Sequence, residues 1–165
     1  MVRFIRYLTV ITALFVGATL LAPAPAEARS TVKISTQYSP GTIVVRTSQR
    51  RLYYVTGRGT AISYPVGVGK AGRQWSGRTR VARKVVNPAW IHPYDKQRRV
   101  VPPGPRNPLG VRALALAHGQ YAIHGTNNPR SIGGAVSLGC IRMYNQDVLD
   151  LYSRARVGTP VIVTR

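Results

Sequence analysis

The sequence predicts a mainly β domain, a sandwich-like or barrel-like packing of short strands with one α-helix in its C-terminal half. Three observations carry that expectation. Short runs rich in Val, Ile, Thr and Tyr recur between turn residues. Only residues 145–158 combine helical periodicity with helix-end signals. No repeat or low-complexity block interrupts the chain after its N-terminal segment.

The elements follow in order. Arg3 and Arg6 precede an uncharged apolar run from Leu8 to Ala22, and Ala26-Glu27-Ala28 fits a small-x-small cleavage site. Residues 1–28 therefore read as a secretory signal peptide, with an uncleaved anchor as the alternative. The mature chain then begins at Arg29, and residues 29–165 form one domain. No cysteine lies near the cleavage site, which excludes a lipoprotein, and no later stretch is long and apolar enough to span a membrane.

"TVKISTQ" (31–37) alternates as a half-buried strand does. "TIVVRTSQRRLYYV" (42–55) places two β-rich runs around polar Thr47–Arg50, a hairpin. "AISYPVGVG" (61–69) is a further strand, with Pro65 marking an edge or bulge. "GRTRVARKVV" (77–86) is another, with its basic residues toward solvent. From Asn87 to Gly110 the pattern breaks into a proline-rich segment. An irregular stretch of that length is usually a lid or the wall of a cleft. "VRALALA" (111–117) and "QYAIHG" (120–125) return to strand. "NQDVLDLYSRARVG" (145–158) is the helix. Asn145 is its expected N-cap, Val148, Leu149, Tyr152 and Ala155 one face, and Arg154 and Arg156 sit at the negative end before Gly158. "PVIVT" (160–164) closes the chain as a strand.

Charge is lopsided. The formal net charge is +20, and losing Arg3, Arg6 and Glu27 with the leader lowers it by one. Asp95, Asp147 and Asp150 are then the only side-chain carboxylates. Such a surface binds polyanions. Nucleic acid is what charge alone suggests, and the signal peptide argues against it. Anionic envelope polymers or phospholipid headgroups are the partners an exported protein meets.

Cys140 is the single cysteine. Structural cysteines of exported proteins come in pairs, so this one is intermolecular, buried and inert, or reactive. Among three histidines, His92 falls in the proline-rich segment and His118 beside Gly119, both expected to be bland. His124 ends an apolar strand, and a glycine-rich loop then returns the chain to Cys140. A neighbouring imidazole would convert that thiol to a thiolate nucleophile. The residues leave a Cys–His pair and a buried thiol both open. Gly139 allows close backbone approach, so amides around Leu138, Gly139 and Cys140 are candidates for an oxyanion hole. Arg142 either pairs with a substrate carboxylate or is one more surface arginine. "GVGKAG" (67–72) fits a dinucleotide fingerprint but opens no helix, and reads as a strand end and turn. "STVK" (30–33) lacks the partners of a serine–lysine enzyme.

"IHGT" (123–126), "SIGGAVSLGCIRMYNQDVLDLY" (131–152) and "VGTPVIV" (157–163) resemble the L,D-transpeptidase family with its YkuD-type catalytic domain. "YPVGVGK" (64–70), "NPAW" (87–90) and "PPGPRNPLGVRALAL" (102–116) fit the same resemblance. It implies a β-sandwich-like domain that acts on peptidoglycan tetrapeptide stems through a thioester. The acyl group then passes to an amine: a second diaminopimelate, a D-amino acid, or a lysine of an outer-membrane protein. It further implies Cys140 as nucleophile and His124 as base and later acid. Gly125 would orient the imidazole through its carbonyl, and Ser137, Leu138, Gly139 and Arg142 would line the site. Neither a metal nor an organic cofactor is implied, and the expected compartment is the periplasm.

Two departures stand out. The family usually reads S-H-G-C where this chain has Ser137-Leu138-Gly139-Cys140, and "GRQWSGRTRV" (72–81) lacks a usual turn proline. Leu138 therefore keeps a second reading open, a catalytically weakened cationic wall-binding module. A zinc peptidase using His118, His124 and Cys140 and a thiol-redox protein are lesser alternatives, the latter lacking a resolving cysteine.

Overall fold

The structure, a computed structural model, describes residues 29–165. The expected signal peptide lies outside the described residues. In chain order the strands are β1 (Ser30–Lys33), β2 (Ile43–Arg46), β3 (Arg51–Gly57), β4 (Thr60–Pro65), β5 (Val68–Gly69) and β6 (Gly77–Val86). After them come β7 (Trp90–Ile91), β8 (Val100–Val101), β9 (Arg112–Leu116), β10 (Ala122–His124), β11 (Ala135–Ser137), β12 (Ile141–Arg142) and β13 (Pro160–Thr164). Among the described residues the single α-helix, α1, spans Asn145–Arg154.

Nine strands form one sheet in the order β1-β4-β3-β2-β13-β6-β9-β10-β12. Strand β6 makes it a sandwich. Its first half, Gly77–Arg80, pairs antiparallel with β13, and its second half, from Val81, pairs antiparallel with β9. The register slips between Val81 and Arg83. Such an irregularity bends a strand and lets it pass from one layer to the other. Both halves then bury side chains in one core: Ile43, Leu52 and Tyr64 from one side, Leu114, Ile123 and Ile141 from the other, with Val148 and Leu151 of α1 between elements.

The hairpin expected at 42–55 is present as β2–β3, turning through residues 47–50. Other boundaries differ for physical reasons. The first strand stops at Lys33, because Ser35–Tyr38 turns instead. Residues 61–69 are two strands rather than one. Pro65 ends β4, which lies between β1 and β3 and is not an edge. The chain then crosses over so that β5 pairs with β11.

The helix also departs from expectation. Its N-cap position is Tyr144, without a side-chain cap. Asn145 is inside the helix, and its Oδ1 accepts from the Thr126 N–H at 3.1 Å. Its buried face is Asp147, Val148 and Leu151, while Leu149 is 44% exposed. The last carbonyls are met from strand β6. Lys84 Nζ donates to Tyr152 O at 2.7 Å and to Ala155 O at 2.6 Å, so this lysine does not face solvent as expected. Tyr64 OH donates to Asp150 Oδ2 at 2.5 Å and fastens the helix to β4.

Candidate active site

Strands β10 and β12 lie side by side and parallel, with Ile123 opposite Ile141 and His124 opposite Arg142. Side chains alternate along a strand. Ile123 and Ile141 therefore enter the core, while Ala122 and His124, with Cys140 and Arg142, share the opposite face. That face floors an open cleft of about 640 Å³. The local pattern "AIH" beside "CIR" is enough to produce it. Apolar Ile at the middle of each tripeptide fixes which neighbours must point outward.

The loop after each strand is held in place by backbone and glycine geometry. Asn145 Oδ1 reaches Thr126, and a Cβ on Gly125 or Gly110 would sit 2.2 Å from that oxygen. Gly67 N–H donates to Arg142 O at 2.9 Å and Arg142 N–H to Gly67 O at 2.8 Å, so residues 67–70 brace β12 from its other side. Gly139 has φ +122° and packs where a Cβ would meet Tyr121 Cε1 at 2.4 Å. An alanine there would be strained twice over, by conformation and by contact.

His124 is 3% exposed. Its Nδ1 lies 2.6 Å from Gly125 O. A carbonyl only accepts, so Nδ1 carries the hydrogen and Nε2 keeps its lone pair. Burial pushes the imidazole pKa down to about 4, with the Arg142 charge adding to the fall and the Gly125 carbonyl opposing it. Burial pushes the Cys140 thiol up, against the opposing effects of the Ala122 backbone N–H and Arg142. Besides the Ala122 backbone, the sulfur reaches Gln120 O at 4.0 Å, and among the described residues no hydrogen bond joins it to the imidazole. Both shifts favour the uncharged thiol and the neutral imidazole over a thiolate–imidazolium pair.

Ser137 is buried and its hydroxyl donates to Cys140 O at 2.6 Å while accepting from Gly139 N–H at 3.1 Å. The Gly139 amide is thereby engaged within the loop. Leu138 lines the cleft. The Arg142 Nε is buried and, among the described residues, has no hydrogen-bond partner. An unpaired guanidinium nitrogen beside a cleft is suited to a carboxylate.

The proline-rich segment forms a wall through Trp90, Tyr94 and Leu109. Asn107, fully buried, anchors it: Nδ2 donates to the carbonyls of Pro88, Val101 and Pro102, and Oδ1 accepts from Leu109 N–H. Opposite stands a stack that the sequence did not single out. Trp75 and Tyr121 lie 5.0 Å apart and nearly parallel, His118 stacks on Trp75 at 5.2 Å, and Trp75 Nε1 donates to Gly139 O at 2.9 Å. His118 therefore helps wall the cleft and is not bland. Its signal was the aromatic residue inside the departing turn, at Trp75. Among the described residues no three His, Cys, Asp or Glu side chains converge to hold a metal ion, and His118, His124 and Cys140 do not form such a group.

This is a fold that solved L,D-transpeptidases share. The Ldtfm–avibactam carbamoyl enzyme superposes with a TM-score of 0.65 at 18% identity, over 78% of this chain and 50% of that one. L,D-transpeptidase 3 from Mycobacterium tuberculosis, in complex with a faropenem-derived adduct, gives 0.61 at 18% identity, over 75% and 60%. Sequence carries the assignment further. Residues 40–163 match the YkuD family model, described as the L,D-transpeptidase catalytic domain, and the chain belongs to that family. It is 37% identical to the probable L,D-transpeptidase ErfK/SrfK of Salmonella typhimurium, over 88% of this chain and 48% of that protein. It is 39% identical to the probable L,D-transpeptidase YbiS of Escherichia coli, over 72% and 43%. The chain thus spans less than half the length of these relatives.

Proposed function

We propose that this protein is a cysteine-dependent L,D-transpeptidase of the periplasm, acting on peptidoglycan tetrapeptide stems and needing no cofactor. The observation that supports it best is the shared outward face of β10 and β12, which turns a thiol, a neutral imidazole and an unpaired guanidinium into one cleft. Family membership supplies the substrate class. The signal-like residues 1–28 and the enterobacterial relatives support export.

In this reading Cys140 Sγ attacks the carbonyl carbon at the L-centre of diaminopimelate while His124 Nε2 takes the thiol proton. Transferring the proton during attack suits a pair that rests uncharged. The amides of Leu138 and Cys140 face the developing oxyanion. When the C–N bond breaks, His124 returns the proton to the departing D-alanine amine and a thioester remains. An acceptor amine then attacks it, His124 takes the amine's proton, and the C–S bond breaks as that proton passes to sulfur. Arg142 holds the stem's carboxylate. Ser137 and Gly125 are positioning residues, acting through the Cys140 carbonyl and the imidazole respectively.

Leu138 is the observation that favours a weakened wall-binding module. Intact mass spectrometry separates the two readings, using a diaminopimelate tetrapeptide and, independently, a carbapenem. We expect an acyl adduct on the natural chain and none on Cys140→Ala. No adduct on the natural chain, with one gained by Leu138→His, would give the lead to the binding module.

A further inference from the structure

Trp90 and Tyr94 have two sides. One lines the cleft, and the other lines a second groove of about 540 Å³ completed by His92, Asp95, Arg99 and Val101. The proposed function leaves this groove unused. Its aromatic part is ordered: Trp90 meets His92 edge to face at 5.3 Å, and His92 lies 5.8 Å from Tyr94. Its polar part is equally fixed. Arg99 Nε and Nη2 donate to the two Asp95 carboxylate oxygens at 3.0 and 3.5 Å, and the same carboxylate accepts from the backbone N–H groups of Gln97 and Arg99.

Aromatic faces next to a carboxylate–guanidinium pair match a pyranose ring. A pyranose has an apolar C–H face and a rim of hydroxyls that both donate and accept, and it carries no charge that Asp95 would repel. We propose that this groove receives the glycan strand, as N-acetylated amino sugars, whose stem peptide enters the neighbouring cleft. This rests on the transpeptidase reading for the stem. Covalent geometry supports the juxtaposition. The stem hangs from the sugar by its first residue, and the reacting carbonyl belongs to the third. Three extended residues span roughly 10 Å, so the glycan lies close to a stem held in the cleft, and Trp90 and Tyr94 are the residues that the cleft shares with the second groove. Ile91, Tyr94 and Val100 are exposed on the same hairpin. A lipid surface is the competing occupant, but a groove that shares Trp90 and Tyr94 with the cleft favours a sugar chain.

The test uses the whole chain and two readouts. The first is an uncharged N-acetylglucosamine tetramer, followed by amide and Trp side-chain NMR shifts. We expect shifts at residues 90–101, reduced by Arg99→Ala. The second is the ratio of Cys140 acylation rates with a disaccharide-tetrapeptide and with the free tetrapeptide. We expect roughly a 10-fold preference for the disaccharide form, the equivalent of about 1.4 kcal/mol, falling toward one in Asp95→Ala and Arg99→Ala. A variant that merely folds poorly lowers both rates and leaves the ratio alone. Equal rates with no tetramer shifts overturn the proposal and leave the transpeptidase reading intact. No acylation by either substrate overturns that reading, and the tetramer shifts then decide the groove separately. Shifts at residues 90–101 with anionic phospholipid vesicles but not with the tetramer would assign the hairpin to a membrane surface and also overturn the proposal.

Discussion

Burial favours the neutral form of His124, and through it would set the pH range of the proposed chemistry. With its pKa near 4, the imidazole stays a base far into acid. The acid limb of Cys140 acylation by a carbapenem should therefore fall at about pH 4 rather than near the ordinary 6.5. A midpoint at 6.5 would mean a solvated ring and sink the argument. Stability follows with a definite sign. Between pH 6.5 and 4 the unfolded chain binds a proton at this histidine and the folded chain does not. Stability is thus undiminished above about 6.5 and falls by roughly 3 kcal/mol on the way to pH 4. Urea unfolding of the natural chain against His124→Gln should show a difference that shrinks over this interval. Cys140 has the opposite slope, losing stability as pH rises past the usual thiol range, because the unfolded thiol ionises first. The sequence singled out these two residues because each stands next to a glycine, His124 before Gly125 and Cys140 after Gly139, and close to an apolar stretch. It did not disclose their protonation, which depends on surroundings contributed by distant strands.

Between elements, the contact with the largest consequence is Lys84 at the end of α1. The last carbonyls of a helix have no partner within it, and its negative end favours a cation. Lys84 supplies both needs, and its Nζ also lies 4.2 Å from the centre of the Tyr152 ring. Lys84→Met keeps the stem and removes three interactions. It should cost about 1–3 kcal/mol, as charged hydrogen bonds to partly buried groups do. The check is a lower urea midpoint with the same rate of Cys140 acylation. An unchanged midpoint would show the helix end already satisfied by water. The strands on either side were legible from alternation, and the 42–55 hairpin from its polar turn. The lysine's role was not, because one strand's pattern cannot say which helix end lies over it. The same limit explains Asn145. Its type and place read as an N-cap, yet the carboxamide is worth more to the buried Thr126 amide than to a helix end that begins one residue earlier.

Over the whole molecule, Asp95 and Asp150 are ion-paired and Asp147 is buried, which leaves the surface strongly cationic. Asp150 is held below the usual carboxylate range; partial burial works against this, but hydrogen bonds from Arg154 and Tyr64 outweigh it, and Arg29 also pairs with it at 3.3 Å. Asp95 is held by Arg99, and Asp147 is 3% exposed. Arg78, Arg80 and Arg83 of β6, by contrast, are exposed. With a formal charge of +20, such a surface attracts polyanions without selecting a sequence of them. Screening separates this attraction from the chemistry. The Debye length falls from about 10 Å at 0.1 M salt to about 3 Å at 1 M, so exposed charges lose most of their reach while groups inside the cleft lose little. Retention on isolated anionic envelope material should therefore drop at least ~10-fold over that range, and carbapenem acylation of Cys140 should change far less. If both fall together, the surface charge is acting on the site itself. If retention survives 1 M salt, the protein is held by contacts that salt does not screen, and the apolar and aromatic face of residues 90–101 becomes the place to look for them.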